Sequence, residues 1–316
     1  MEYHLELVAG LIAAFVMTII AVPWLIPKLR QRGVVGRDLN KPNRPLIPEM
    51  GGIAVVIGFF AGISVVLTLD GIANKELLYV SLSAILGAAF VGILDDIFEL
   101  RQRQKAFFPF LLALPLGAAL NPTIFIPWIG EVDFGVLMIV FAPFAVTCAA
   151  NAGNMLEGFN GLGVGLGMIM SGSLIVLALH HNRLDGIFVL APLLGALMAF
   201  LLFNKYPATV FPGDTLMLFM GAAIAIGGML SNLYLQTTIV FIPMIIEFLL
   251  KLRGDFKAEN YCSNASNGHL EYHGGIESLT HVLMKHGKFT ENRLVGALWS
   301  IEFAIAFCVI VLDLMI

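Results

Sequence analysis

Charge is so sparse and so clustered along this chain that most of its length cannot face water. Apolar runs near residues 7–27, 51–69, 78–94, 106–120, 135–150, 162–180, 186–203, 215–231, 236–250 and 294–314 alternate with short charged islands. A helix needs roughly 20 mostly apolar residues to cross a hydrocarbon core of about 30 Å. With 59% hydrophobic and only 13% charged residues, and a mean hydropathy of +0.89, the 316 residues hold too little polar surface to wrap a soluble globule. The expectation is an all-α integral membrane protein of about ten transmembrane helices. No internal repeat, linker or low-complexity tract divides it, so residues 1–316 read as a single polytopic domain.

Orientation follows from the basic residues, which accumulate in cytoplasmic loops. With the N-terminus outside, ten spans leave only Lys75 and Arg183 of the eighteen Lys and Arg residues on the outer side. One missed span would invert every later loop and destroy that bias. Both termini are therefore expected outside, with the long polar loops in the cytoplasm. Glu2 and Glu6 stand where a signal peptide would carry basic residues, and the run that follows is too long for its apolar core. Cys148, Cys262 and Cys308 imply no disulfide framework. The sequon Asn264-Ala-Ser266 falls in an inside loop, where it stays unmodified. Outside, Thr123 to Phe134 alternates like a small β-hairpin. In the last inside loop Ile276, Leu279, Val282, Leu283 and His286 recur at helical spacing, as in an amphipathic helix on the membrane surface.

Four polar stretches on the inner side carry chemistry. In Gly92-Ile-Leu-Asp95-Asp96-Ile-Phe-Glu99, followed by Arg101, Arg103 and Lys105, a span ends in adjacent carboxylates and then cations. Helical spacing puts Asp95 and Glu99 on one face with Asp96 turned away, although a solvated helix end would also look acidic then basic. Asn151-Ala-Gly-Asn154-Met-Leu-Glu157-Gly158-Phe-Asn160 mixes amides, a carboxylate and glycines that suit a cation or a base edge, or simply close helix packing. In Phe211-Pro-Gly213-Asp214-Thr215, Asp214 is placed either as a helix N-cap or as a metal ligand. Gly36-Arg-Asp-Leu39-Asn-Lys41 to Pro48-Glu49 is rigid and basic, and alone could be only a positive-inside anchor. Oxygen ligands without clustered Cys or His point to Mg²⁺, or Mn²⁺, and the neighbouring cations to a phosphate-bearing substrate.

At these residues the chain resembles the polyprenyl-phosphate N-acetylhexosamine-1-phosphate transferases over nearly its whole length. Within them it is most similar to the archaeal and eukaryotic UDP-N-acetylglucosamine:dolichyl-phosphate transferases, through Gly36 to Lys41, Ile47-Pro-Glu49, Asp95-Asp96 and Phe211 to Thr215. The resemblance implies transfer of N-acetylglucosamine 1-phosphate from UDP-N-acetylglucosamine to a polyprenyl or dolichyl phosphate, releasing UMP, as the first step of lipid-linked oligosaccharide assembly for N-glycosylation. It implies Asp95 and Asp96 as catalytic, Asp214 and Asn154 as Mg²⁺ ligands, and Lys105 and Arg253 on the pyrophosphate. Leu39, Glu49, Asn160 and Phe211 would hold the nucleotide. Asn160 follows the eukaryotic branch, where bacterial relatives carry aspartate. The family's histidine-containing basic motif has no secure match in the last loop, with Lys251, Arg253, Lys257, His269 and His273 as its candidates. The implied partners are the two substrates and membrane lipid, with no nucleic acid, and a homodimer is compatible. The alternatives are another UDP-hexosamine donor, or a lipid or sugar transporter. A transporter would hold its ionisable groups near the bilayer midplane, and only Glu302 stands alone inside a run, unexplained.

Overall fold

The computed structural model describes residues 2–68, 74–126, 128–257, 259–266 and 269–315. Leu69 at the end of the second apolar run, Pro127 in the expected hairpin, and Ala258, Asn267 and Gly268 of the last loop lie outside the described residues. In chain order come α1 (Glu2–Gln31), β1 (Val35–Arg37), β2 (Leu46–Pro48), α2 (Gly52–Leu67), α3 (Lys75–Phe98) and α4 (Gln102–Ala119). The hairpin β3 (Thr123–Ile126) and β4 (Gly130–Asp133) leads through a short 3₁₀ turn to α5 (Met138–Met155), α6 (Leu162–His180), α7 (Leu184–Asn204) and α8 (Gly213–Leu230). Then follow α9 (Tyr234–Val240), α10 (Ile242–Arg253), β5 (Asn264–Ser266), β6 (His269–Glu271), α11 (Leu279–His286) and α12 (Glu291–Leu314).

Every apolar run is therefore helical, but the runs are not equal. Among the described residues seven helices are long and apolar enough to cross a membrane, and an eighth span results if α9 and α10 count as one. Those two meet at a 57° bend. Pro243 explains the break, because it sits at the start of α10 with no N–H to give the preceding turn. Helix α2 has only 16 residues, and α4 carries Arg103, Lys105, Pro109 and Pro115, so neither passes the same test.

Helix α8 is the post around which the bundle forms. From Thr215 to Met229 all of its residues are buried, as expected of a helix apolar on every side. It packs against α3, α5, α7 and α2, while α1 lies across α2 and α7. Contact with α3 is tight at Gly92, where a Cβ would stand 2.6 Å from both the Asp214 carbonyl oxygen and the Thr215 Cα. Only glycine permits that approach. Each short strand pairs antiparallel with its neighbour, Val35 opposite Pro48, Thr123 opposite Asp133 and Asn264 opposite Glu271.

Two local expectations need correction. Glu99 shares no helix face with Asp95, because α3 stops at Phe98 and Glu99 is its left-handed C-cap at φ 50°. The amphipathic helix forms as α11, yet its buried side is Thr280, His281 and Met284 rather than the apolar stripe read from the sequence. Those polar groups are buried because they have partners. Thr280 Oγ1 donates to the Asn260 carbonyl, His281 Nε2 lies 2.9 Å from the Glu259 carbonyl, and the imidazole stacks on Tyr272 at 3.6 Å. Burial pulls the His281 pKa below its usual value. Its N-terminus is held by Glu247, which accepts from Leu279 N at 2.8 Å and Ser278 Oγ at 3.1 Å. Glu302 is fully buried in α12, and neither carboxylate oxygen has a hydrogen-bond partner among the described residues.

Replacing Gly92 by valine should force α3 and α8 apart and destabilise the protein by about 1–3 kcal/mol, the usual cost of overpacking. Thermal unfolding in detergent measures this. A melting temperature equal to the parent's would mean the α3–α8 contact is not tight.

Candidate active site

The polar residues gather where α3, α5 and α8 reach one end of the bundle. Asp95 and Asp96 form the last turn of α3, Lys105 the first of α4, Asn154 the last of α5, and Asp214 the first of α8. The Lys105 ammonium is shared between two carboxylates, pairing with Asp95 Oδ2 and lying 3.0 Å from Asp214 Oδ2. The Asp95 side chain is 1% exposed and also accepts from Leu100 N at 2.8 Å. It is thereby fixed behind the lysine. The Asp214 side chain keeps 28% of its surface and is the carboxylate that reaches open space.

Asp214 does not cap its own helix. The cap residue is Pro212, which has no side-chain acceptor, and the exposed amides of α8 are taken by Asp96 from across the bundle. Asp96 Oδ1 accepts from Asp214 N at 2.7 Å, and Oδ2 accepts from Thr215 N at 3.0 Å and Thr215 Oγ1 at 2.5 Å. Gly213 makes room for this at φ 71°, where a Cβ would come within 2.7 Å of Asp96 Oδ2. Three donors on one carboxylate leave Asp96 committed to holding α8 in place.

Beyond Asp214 opens a cleft enclosing about 710 Å³ of empty space including its mouth. Leu39, Glu49, Asn154, Asn160, Phe211 and Asp214 all line it, so six of the expected site residues meet in one cavity. The loop joining α7 to α8 is zipped to the exit of the first loop: Phe211 N donates to the Pro48 carbonyl, and Gly51 N and Gly52 N donate to the carbonyls of Phe211 and Pro212, each at 2.8 Å. Glu49 is pushed above the ordinary glutamate pKa by burial and then by the charges of Asp96 and Asp214. Glu157, between α5 and α6, is pushed up to about 7 by burial, although its carboxylate accepts from Gly163 N at 2.9 Å.

Arg253 is absent from this assembly. It is exposed at the end of α10 and donates to the Ile276 carbonyl at 2.7 Å, because that helix points its last turn toward the following loop. Lys251, Lys257, His269 and His273 do not line the cleft either. The basic residue that does is Arg37, at the end of β1. Tyr261 also lines it and was not singled out from the sequence. It is carried there by Asn260, whose amide donates to the Met155 and Glu157 carbonyls at 2.7 Å each, and by Cys262 N, which donates to Asn40 Oδ1 at 3.1 Å.

The glycosyl transferase family 4 model matches residues 77–232, which carry Asp95, Asp96, Lys105, Asn154 and Asp214. A putative UDP-N-acetylglucosamine–dolichyl-phosphate N-acetylglucosaminephosphotransferase of Saccharolobus solfataricus is 39% identical over 98% of this chain and 97% of its own. The chain belongs to this family. The UDP-N-acetylglucosamine–dolichyl-phosphate N-acetylglucosaminephosphotransferase of Saccharomyces cerevisiae is 29% identical over 78% of this chain and 66% of its own length. A phospho-N-acetylmuramoyl-pentapeptide-transferase of Leuconostoc citreum is 31% identical over 70% and 75% respectively. The chain is thus similar to relatives whose names give different sugar groups.

Hard oxygen donors at the cleft suit a divalent cation. Asn154 lies against Asp214, and Mg²⁺ characteristically takes one or two protein oxygens and fills its remaining positions with water and substrate phosphate. Among the described residues no cluster of three or more acidic, His or Cys ligands exists.

Two outcomes test the geometry. Asp96→Asn keeps the volume but leaves one acceptor oxygen for three donors, so the melting temperature should fall by the equivalent of about 1–3 kcal/mol. Parent-like melting would sink the capping role. For Glu157 the folded pKa of about 7 lies above the ordinary 4.5, so the folded state binds the proton more tightly. Stability from this group is full below pH 4.5 and is lost as pH rises through about 7. Melting curves between these limits should decline with pH in the parent and be flatter in Glu157→Gln; parallel curves would refute the shift.

Proposed function

We propose that this protein transfers N-acetylglucosamine 1-phosphate from UDP-N-acetylglucosamine to a polyprenyl phosphate of the dolichyl type, yielding lipid diphosphate N-acetylglucosamine and UMP. The observation that carries the reading is Lys105 clamped between Asp95 and Asp214, the last of which lines a polar cleft, in a chain homologous along its length to proteins of that name. The reacting oxygen belongs to the lipid phosphate. It attacks the sugar-linked phosphorus, the bond from that phosphorus to the bridging oxygen breaks, and UMP leaves with the bridging oxygen.

The residues divide this work by their accessibility. Lys105 presents a positive charge to the phosphates, and Asp95, buried behind it, fixes where that charge stands. Asp214 and Asn154 would hold Mg²⁺, which would supply neutralising charge to the diphosphate. Phe211, Leu39 and Asn160 take the nucleoside, and Arg37 stands at the same cleft as an additional cation for phosphate. Direct displacement is favoured over a covalent aspartyl phosphate, since both Asp96 oxygens accept hydrogen bonds and both Asp95 oxygens are engaged by Leu100 N and Lys105. The long apolar acceptor accounts for an enzyme built inside the membrane. All ten helical runs are taken as spanning, with both termini outside and the cleft at the cytoplasmic face, because that arrangement leaves only Lys75 and Arg183 on the outer side.

Incubation of the purified protein with radiolabelled UDP-N-acetylglucosamine and a polyprenyl phosphate should move label into the lipid phase and release UMP. Faster transfer from the UDP-muramoyl-pentapeptide donor would overturn the choice of sugar, and no transfer from any UDP-hexosamine would overturn the enzyme reading. Lys105→Ala and Asp214→Asn should each lower turnover by about a hundredfold or more while the protein still purifies folded. Chelation should abolish activity and Mg²⁺ restore it; turnover indifferent to chelator would remove the metal.

A further inference from the structure

The nucleoside end of the cleft is held by a buried charge network that reaches the last helix. Asp38, Asn40, Asn160 and Glu291 are each at most 5% exposed. Glu291, the first residue of α12, accepts from the backbone N–H of Asn160 at 2.9 Å and pairs directly with the Lys41 ammonium. Lys41 in turn stands 2.9 Å from Asp38 Oδ2 and 4.6 Å over the Tyr206 ring. Asp38 closes the circuit, receiving the Asn160 side-chain amide at 3.1 Å on Oδ2 and the Asn40 N–H at 3.2 Å on Oδ1.

Two consequences follow for the cavity wall. Asn160 spends its side-chain N–H on Asp38, so its rotamer is fixed and the carbamoyl oxygen has one defined direction. Leu39 sits between Asp38 and Asn40, both pinned, so its backbone cannot drift. Asn40 adds a further tie by donating to the Gly158 carbonyl at 2.7 Å. Glu291 does not line the cavity, yet it bonds the backbone of one lining residue and the lysine that anchors the other.

We propose that Glu291, acting through Lys41 and Asp38, is a positioning residue for recognition of the donor's nucleoside, setting the placement of Asn160 and Leu39. The inference rests on the transferase reading above. A buried carboxylate is costly unless paired and hydrogen-bonded, and here every partner it has belongs to, or holds, the nucleoside wall.

The test uses the full-length protein in detergent with the Glu291→Gln and Lys41→Arg variants, and Glu291→Asp as a charge-preserving rescue. Glu291→Gln should raise KM for UDP-N-acetylglucosamine and the inhibition constant of UMP together, by about five- to tenfold, with kcat within about twofold. KM for the lipid phosphate should stay unchanged, and Glu291→Asp should recover part of the loss. Lys41→Arg, which keeps the charge but changes its geometry, should show the same joint rise and guards against poor folding of the first variant. A lowered melting temperature with unchanged KM and UMP inhibition would make the network merely structural and overturn the proposal, as would a rise confined to the lipid phosphate. UMP-dependent thermal stabilisation of the parent separates the two readings. If the parent neither binds UMP nor releases it, the transferase assignment fails irrespective of Glu291.

Discussion

The site depends on one carboxylate that ties two helices together. Asp96, at the end of α3, accepts the first amides of α8 and the Thr215 hydroxyl, joining two helices that are distant in sequence. A buried helix start with no local cap would strand its N–H groups, and Pro212 offers none. Supplying the acceptor from α3 therefore does two things. It satisfies α8, and it sets Asp214 beside Asp95 and Lys105 instead of leaving it to cap its own helix. Gly92 makes the arrangement sterically feasible one turn earlier.

The same economy governs the loops at this end of the bundle. Each shares hydrogen bonds with another: Phe211 and Pro212 with the residues around Pro48, Asn260 with Met155 and Glu157, Cys262 with Asn40. Buried backbone groups must find partners, and loops packed on one another find them in each other. The result is a cleft whose walls come from four separate stretches of chain and are fixed mutually.

What the sequence discloses and what it withholds divide along sequence separation. Hydropathy locates every helical run, because lipid burial demands a local, continuous signal. Motif position brings Leu39, Glu49, Asn154, Asn160, Phe211 and Asp214 to one cavity. Local spacing fails where partners lie far apart. The Asp96 cap spans 118 residues and the Glu291–Asn160 bond 131, and neither leaves a periodic trace. Asp95 and Glu99 look paired by helical spacing, but the helix ends at Phe98 and Glu99 is itself its left-handed cap. Arg253 looks suitable by charge alone, yet α10 directs it away, while Arg37 and Tyr261 reach the cleft through pairing and loop anchoring that composition does not encode.

That separation also bears on how the walls of the cleft divide along the chain. The stretch matched by family 4 contains Asp95, Asp96, Asp214, Lys105 and Asn154, and with them Asn160 and Phe211 of the cleft wall. Arg37, Asp38, Leu39, Glu49 and Tyr261, which complete the cleft, lie outside it. Phosphate chemistry requires charge at a fixed place, so its residues sit on helix ends locked by buried contacts. Recognition of a base and a hexosamine requires shape, and shape is altered most cheaply in loops that rest on a rigid frame. The network from Glu291 to Asp38 fastens the first loop and Asn160 to the start of α12, so the loop side of the cleft is held by buried charge as the helix-end side is.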